Sequence, residues 1–201
     1  MKRIGIMGGT FNPIHQGHLA LAKAAWHQFY LDEIIFIPTG TPPHKALGKV
    51  IDKEHRFSMV KLAIRKNKKF KASRLEIDRQ GVSFAVDTFH QLREKFGPKV
   101  KLFFIMGLDS INEILEWKKP LELFKLCEFI VGTRPGAKPR TFRRMLKFPP
   151  LKDQINKIYL MELNENISAS EIRERLKTGK SAAKLIPRAV LAYIKQNKLY
   201  E

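Results

Sequence analysis

The chain has 201 residues, 44% of them hydrophobic and 28% charged, an ordinary globular balance with enough apolar material for a substantial core. No apolar run approaches the roughly 20 residues that span a bilayer, Met1-Lys2-Arg3 leads into an apolar run rather than a signal peptide, and the single Cys127 excludes an internal disulfide. One cytoplasmic domain over 1–201 is expected, with a small C-terminal helical portion from about 168; Lys and Arg number 38 against 19 Asp and Glu, and the net charge of +19 attracts polyanions.

In chain order, apolar β-rich runs recur at Ile4–Met7, Ile34–Ile37, Val100–Met106, Phe129–Val131 and Ile155–Leu160. Cys127, at the edge of the fourth run, is expected in buried strand. Helical patterns lie between and after the runs, near 18–30, 52–66, 84–96, 110–125, 170–177 and 187–198, the last behind Pro187. Alternation of this kind predicts an α/β fold, a doubly wound parallel sheet with helices on both faces. Ligands of such sheets bind beyond the carboxyl ends of the strands, where the strand order reverses, so the residues that follow each strand are the ones to inspect.

After the first strand comes Gly8-Gly9-Thr10-Phe11-Asn12-Pro13-Ile14-His15-Gln16-Gly17-His18. Glycines permit positive φ and close approach of a ligand to the main chain. The turn then delivers the ligand to a helix N-terminus, whose free N–H groups and dipole favour an anion. His15 and His18 are three apart, which puts both imidazoles on one side of a first helical turn, suited to an oxyanion whose charge grows during reaction. The alternative is that one histidine caps the helix and the other packs. Neither the dinucleotide glycine pattern nor the P-loop is present.

The second strand is followed by Pro38-Thr39-Gly40-Thr41-Pro42-Pro43-His44-Lys45, the run ending at Met106 by Gly107-Leu108-Asp109-Ser110, and the next by Gly132-Thr133-Arg134-Pro135-Gly136. Ser168 and Glu171 form an S-x-x-E capping box that opens another helix, with Arg173 one turn further in as a planar cation able to reach the same anion. An ordinary capped surface helix is the alternative. The basic stretches Lys66-Asn67-Lys68-Lys69-Phe70-Lys71 and Arg140-Thr141-Phe142-Arg143-Arg144 carry no recurring aromatic of the base-stacking kind, so a solvated Lys-rich surface is expected and nucleic acid is not the expected partner.

Gly8–His18 and Ile167–Arg173 together resemble the paired signatures of the nucleotidyltransferase superfamily with the H-x-G-H motif, and the chain is most similar there to the bacterial nicotinate-mononucleotide adenylyltransferase family. Pro42-Pro43-His44-Lys45, Gly81–Thr88, Gly107–Ser110, Trp117 and Arg134-Pro135-Gly136 extend the resemblance over the whole chain. It implies a Rossmann-like sheet of nucleotidyltransferase type and transfer of AMP from ATP to nicotinate mononucleotide, giving deamido-NAD and pyrophosphate by direct in-line attack without a covalent intermediate. Another member of the superfamily, using phosphopantetheine, is the alternative.

The resemblance assigns catalysis to His15, His18, Lys45 and Arg173. It places ATP on Gly8, Gly9, Thr10, Phe11, His18, Gly107, Asp109, Ser168 and Arg173, and the mononucleotide on Asn12, His44, Lys45, Ala85, Trp117 and Arg134. Trp117 would be the stacking platform for the pyridine ring, or else pack at a helix end. Asn12, Ala85 and Ser170 depart from the family's aspartate, threonine and threonine; with no hydroxyl at 85, nicotinamide mononucleotide stays open as a second acceptor. No His/Cys/Asp cluster has the spacing of a protein-held metal, so the Mg²⁺ that the resemblance implies is expected mainly on the phosphates.

Overall fold

The computed structural model describes residues 1–43, 50–163 and 167–201. The apolar runs form strands β1 (Arg3–Gly9), β2 (Glu33–Pro38), β4 (Lys101–Gly107), β5 (Glu128–Thr133) and β6 (Ile158–Glu162), joined by a short β3 (Phe70–Ala72). All neighbours pair in parallel, in the order β3-β2-β1-β4-β5-β6. The chain thus builds outward from β1 in one direction, returns, and builds outward from β4 in the other. β1 and β4 lie side by side at the reversal, with Met7 opposite Ile105.

Alternation along each strand feeds two cores, as a parallel sheet covered on both faces requires. On one face Met7, Ile34, Phe36, Phe103 and Ile130 pack with α1 (Gln16–Gln28), α2 (Lys53–Ile64), α8 (Ala169–Lys177) and α9 (Arg188–Gln196), through residues such as Ala22, Val60, Ile172 and Ile194. On the other, Ile4, Ile6, Ile35, Ile37, Phe104 and Phe129 meet α3 (Ala85–Phe96), α4 (Leu108–Glu113), α5 (Pro120–Leu126), α6 (Thr141–Leu146) and α7 (Pro149–Lys152). Cys127 is buried one residue ahead of β5, beside Leu123 of α5.

The doubly wound sheet expected from the alternation of elements is present, with α6 and α7 added where no element was expected and Cys127 just outside the strand expected to hold it; three further details differ. The helix predicted near 110–125 is broken: α4 gives way to a 3₁₀ turn at Ile114–Glu116, Trp117 is extended, Lys119 has φ 49°, and α5 begins on Pro120. Proline excludes helical backbone from the residue before it and suits the first position of a new helix, which is why the break falls there. Lys66–Lys71, read as solvated surface, contains the first residues of edge strand β3, whose Phe70 pairs with Ile34. Its lysines are compatible with an edge, where charge blocks further pairing. The last strand begins at Ile158 rather than Ile155, because Asp153–Lys157 is a 3₁₀ turn.

Candidate active site

The carboxyl ends of β1, β2 and β4 open into a cleft of about 400 Å³, lined at one end by Gly8, Gly9, Thr10, Phe11, Asn12, His18, Ala169 and Arg173. Gly8 and Gly9 are the last residues of β1, and their conformation is not the positive φ that glycine permits; in this turn Phe11 takes it, at φ 48°. What the glycines supply is proximity. A Cβ on Gly8 would lie 3.3 Å from the Phe104 ring, and one on Gly9 3.4 Å from the Phe11 ring.

His15 occupies the N-cap of α1, and its backbone N–H donates to His18 Nδ1 at 3.2 Å. The two rings lie 3.7 Å apart, tilted by 32°, so the spacing does put both imidazoles on one side of the turn. Only His18 lines the cleft. His15 is 7% exposed, its Nδ1 is buried with no hydrogen-bond partner, and burial pushes its pKa down to about 4. It is therefore neutral near pH 7. An Nδ1 that accepts a hydrogen bond leaves the proton of a neutral His18 on Nε2, so that atom is the donor.

α8 supplies the facing wall. Ser168 caps it, Oγ accepting from Glu171 N–H at 3.2 Å, but the reciprocal half of the expected capping box is absent. The Glu171 carboxylate pairs instead with Arg175 one turn on. Ser168 itself does not line the cleft; Ala169 and Arg173 do. Arg173 Nη1 donates to the Asn12 carbonyl at 2.9 Å and Nη2 to Ser170 Oγ, which ties the two anion-binding segments together.

The other end of the cleft is aromatic and partly acidic: Phe84, Ala85, Phe104, Met106, Gly107, Ser110, Glu113, Trp117 and Lys118, with Glu76 and Ser83 beneath. The Trp117 ring packs with its centroid 6.1 Å from that of Phe104 and also forms part of the cleft wall. Lys118 Nζ sits over the Phe84 ring at 4.5 Å and is held by Asp87 at 3.1 Å. The Glu76 carboxyl accepts from Thr88 Oγ1 at 2.7 Å; burial raises its pKa, opposed by the Thr88 hydroxyl and the charge of Arg79.

Sequence reasoning did not single out Arg56, which fastens the loops around the cleft. It is 1% exposed on α2, and its guanidinium donates to the backbone carbonyls of Ile51, Thr10, Thr39 and Gly40 at 2.6–3.0 Å. Burial lowers its pKa, opposed by Tyr200, Asp52 and Glu76. Nothing in the local pattern of α2 marks it, because its partners are main-chain atoms outside the helix, three of the four at least 16 residues away in sequence. Of the remaining expected residues, His44 and Lys45 lie outside the described residues. Asp109, in the first turn of α4, and Arg134, just after β5, are exposed at the same edge of the sheet without lining the cleft.

A doubly wound parallel sheet whose switch-point cleft joins a glycine turn, two helix starts and a histidine is the architecture of a nucleotidyltransferase, and the chain belongs to the cytidylyltransferase-like family, whose model matches residues 6–175. A protein of Moorella thermoacetica named probable nicotinate-nucleotide adenylyltransferase is 45% identical over 199 residues, covering 98% of this chain and 91% of that one. One of the same name from a Thermoanaerobacter species is 43% identical over 201 residues, with 99% and 94% covered. Within the family, the chain is thus a member of the nicotinate-nucleotide adenylyltransferases. The fold is also that of a Plasmodium falciparum nicotinic acid mononucleotide adenylyltransferase, solved in complex with NaAD, at TM-score 0.80 and 23% identity, with 100% of this chain and 98% of that chain covered.

Proposed function

We propose that this protein transfers AMP from ATP to nicotinate mononucleotide, forming deamido-NAD and releasing pyrophosphate. The observation that carries the reading is that one cleft joins an anion-binding end, Gly8–Asn12 with His18 and Arg173, to an aromatic end at Trp117 and Phe84, in a chain of this family. A dinucleotide-forming reaction needs both: phosphates that meet at the reacting centre, and a flat surface for a ring.

A 5′-phosphate oxygen of the mononucleotide attacks the α-phosphorus of ATP, and the bond to the bridging oxygen of pyrophosphate breaks in line with it. Such a displacement depends on positioning and charge stabilisation. Main-chain N–H groups of the Gly8–Phe11 turn, His18 Nε2–H and Arg173 supply donors to the phosphates. α8 points its N-terminus at the same region, with Ala169 in the cleft wall. Catalytic contributions of His15 and Lys45, ATP contacts of Ser168 and Asp109, and mononucleotide contacts of His44, Lys45 and Arg134 stay part of this reading through the resemblance. His15 acts through its packing on His18. Mg²⁺ would travel on the phosphates and offset their charge.

The test is pyrophosphate release from ATP across an acceptor panel of nicotinate mononucleotide, nicotinamide mononucleotide and phosphopantetheine. The nicotinate compound should be the preferred substrate, and Trp117→Ala should raise its KM about tenfold with a smaller effect on the ATP KM. Release with phosphopantetheine alone, or with no acceptor, would sink the proposal.

A further inference from the structure

The penultimate residue of the chain reaches the phosphate turn. Beyond α9 the backbone turns sharply, with φ 48° at Lys198 and 68° at Tyr200, and the Tyr200 hydroxyl donates to Asn12 Oδ1 at 2.8 Å. The same Oδ1 accepts from Ile51 N–H at 3.4 Å. A backbone N–H can only donate, so the atom it faces must be the oxygen of the carboxamide. That fixes which way the amide lies, and the phenol donates to the same oxygen. Both donors of the amide nitrogen are then on the opposite edge. Asn12 is 4% exposed and lines the cleft, and its main-chain carbonyl, a different oxygen from the one Tyr200 meets, accepts from Arg173. Burial also holds the Tyr200 pKa well above its usual value.

We infer that Tyr200 is a positioning residue of the active site: acting through Asn12, it holds the Gly8–Asn12 turn and the Arg173 guanidinium in place for the phosphates of ATP. The hydrogen-bonded path Tyr200–Asn12–Arg173 joins the last turn of the chain, the first loop and α8, three segments that are distant in sequence. Leu185 adds a parallel tie, its carbonyl accepting from Gln16 N–H at 2.9 Å at the start of α1. The C-terminal segment is on this account part of the nucleotide site as well as a cover for α2. The inference rests on the adenylyltransfer reading for its kinetic test.

Tyr200→Phe in the 201-residue chain removes the hydroxyl and keeps the ring. It should raise the ATP KM about three- to tenfold, as expected for loss of one buried hydrogen bond beside the phosphate turn. A variant that is merely less folded would lower kcat with both KM values intact. Asn12→Ala should raise the ATP KM likewise, and Tyr200→Phe added to Asn12→Ala should have no further effect, because the path runs through Asn12. Calorimetric titration with pyrophosphate needs no turnover and should show the same weakening. The inference is overturned if Tyr200→Phe binds pyrophosphate and ATP within twofold of wild type, or if it loses as much again in the Asn12→Ala background. Wild-type protein that binds pyrophosphate tightly but transfers AMP to no pyridine mononucleotide would defeat the proposed function and leave the calorimetric test of Tyr200 standing.

Discussion

Two histidines three residues apart carry different loads. His18 faces the cleft, while His15 is buried behind it with its ring 3.7 Å from that of His18. The spacing puts them on one side of the helix but says nothing about depth. Depth decides charge: burial lowers the His15 pKa from 6.5 to about 4, so between those values the unfolded chain binds a proton that the folded protein refuses. Stability contributed by a neutral His15 is then fully present above pH 6.5 and is lost as the pH falls toward 4. The stability lost between pH 7 and pH 4 should be larger in wild type than in His15→Gln by up to roughly 3 kcal/mol. Urea melts across that range test this, and parallel curves for the two proteins would refute it. Arg56 makes the same point about depth. Its charge is legible in the sequence, its burial under four carbonyls is not.

At the scale of elements, the cleft depends on loops that touch one another. The connection after β2 packs so tightly on the one after β3 that a Cβ on Gly40 would lie 2.1 Å from the Glu76 carbonyl oxygen. Ser83 N–H donates to the Thr41 carbonyl in the same seam, and Arg56 holds the Gly40 carbonyl from below. Gly40→Ala must push two main chains apart, so it should cost about 2 kcal/mol or more and lower activity through the displaced floor of the cleft. Thermal melts and kcat/KM for both substrates check this; an alanine variant as stable and active as wild type would show that the seam can yield. The strand and helix periods made most elements readable, and Pro120 was the missed signal for the break that sets Trp117 at the cleft. β3 escaped detection because three residues at a lysine-rich edge bury little, and a short strand is decided by the neighbour it pairs with.

For the molecule as a whole, the net charge of +19 raises the local concentration of anionic substrates. The kcat/KM for ATP should therefore fall severalfold between about 0.1 M and 1 M salt, as the screening length shrinks from about 10 Å to about 3 Å, with kcat much less affected. A flat salt profile would show that the charge does not steer ATP. The resemblance of two distant segments, Gly8–His18 and Ile167–Arg173, to the paired signatures of one superfamily points to one polyphosphate site, and the alternation of strands and helices places that site at the carboxyl edge of a parallel sheet. These features were readable because period, glycine and capping residues act over a few neighbours, where sequence distance and spatial distance agree. Tertiary structure alone decided which imidazole is buried, which loops share a seam through Arg56, and that Tyr200 meets Asn12 across 188 positions of sequence. Burial and long-range hydrogen bonds belong to pairs of segments brought together by the sheet, and neither segment carries their signature by itself.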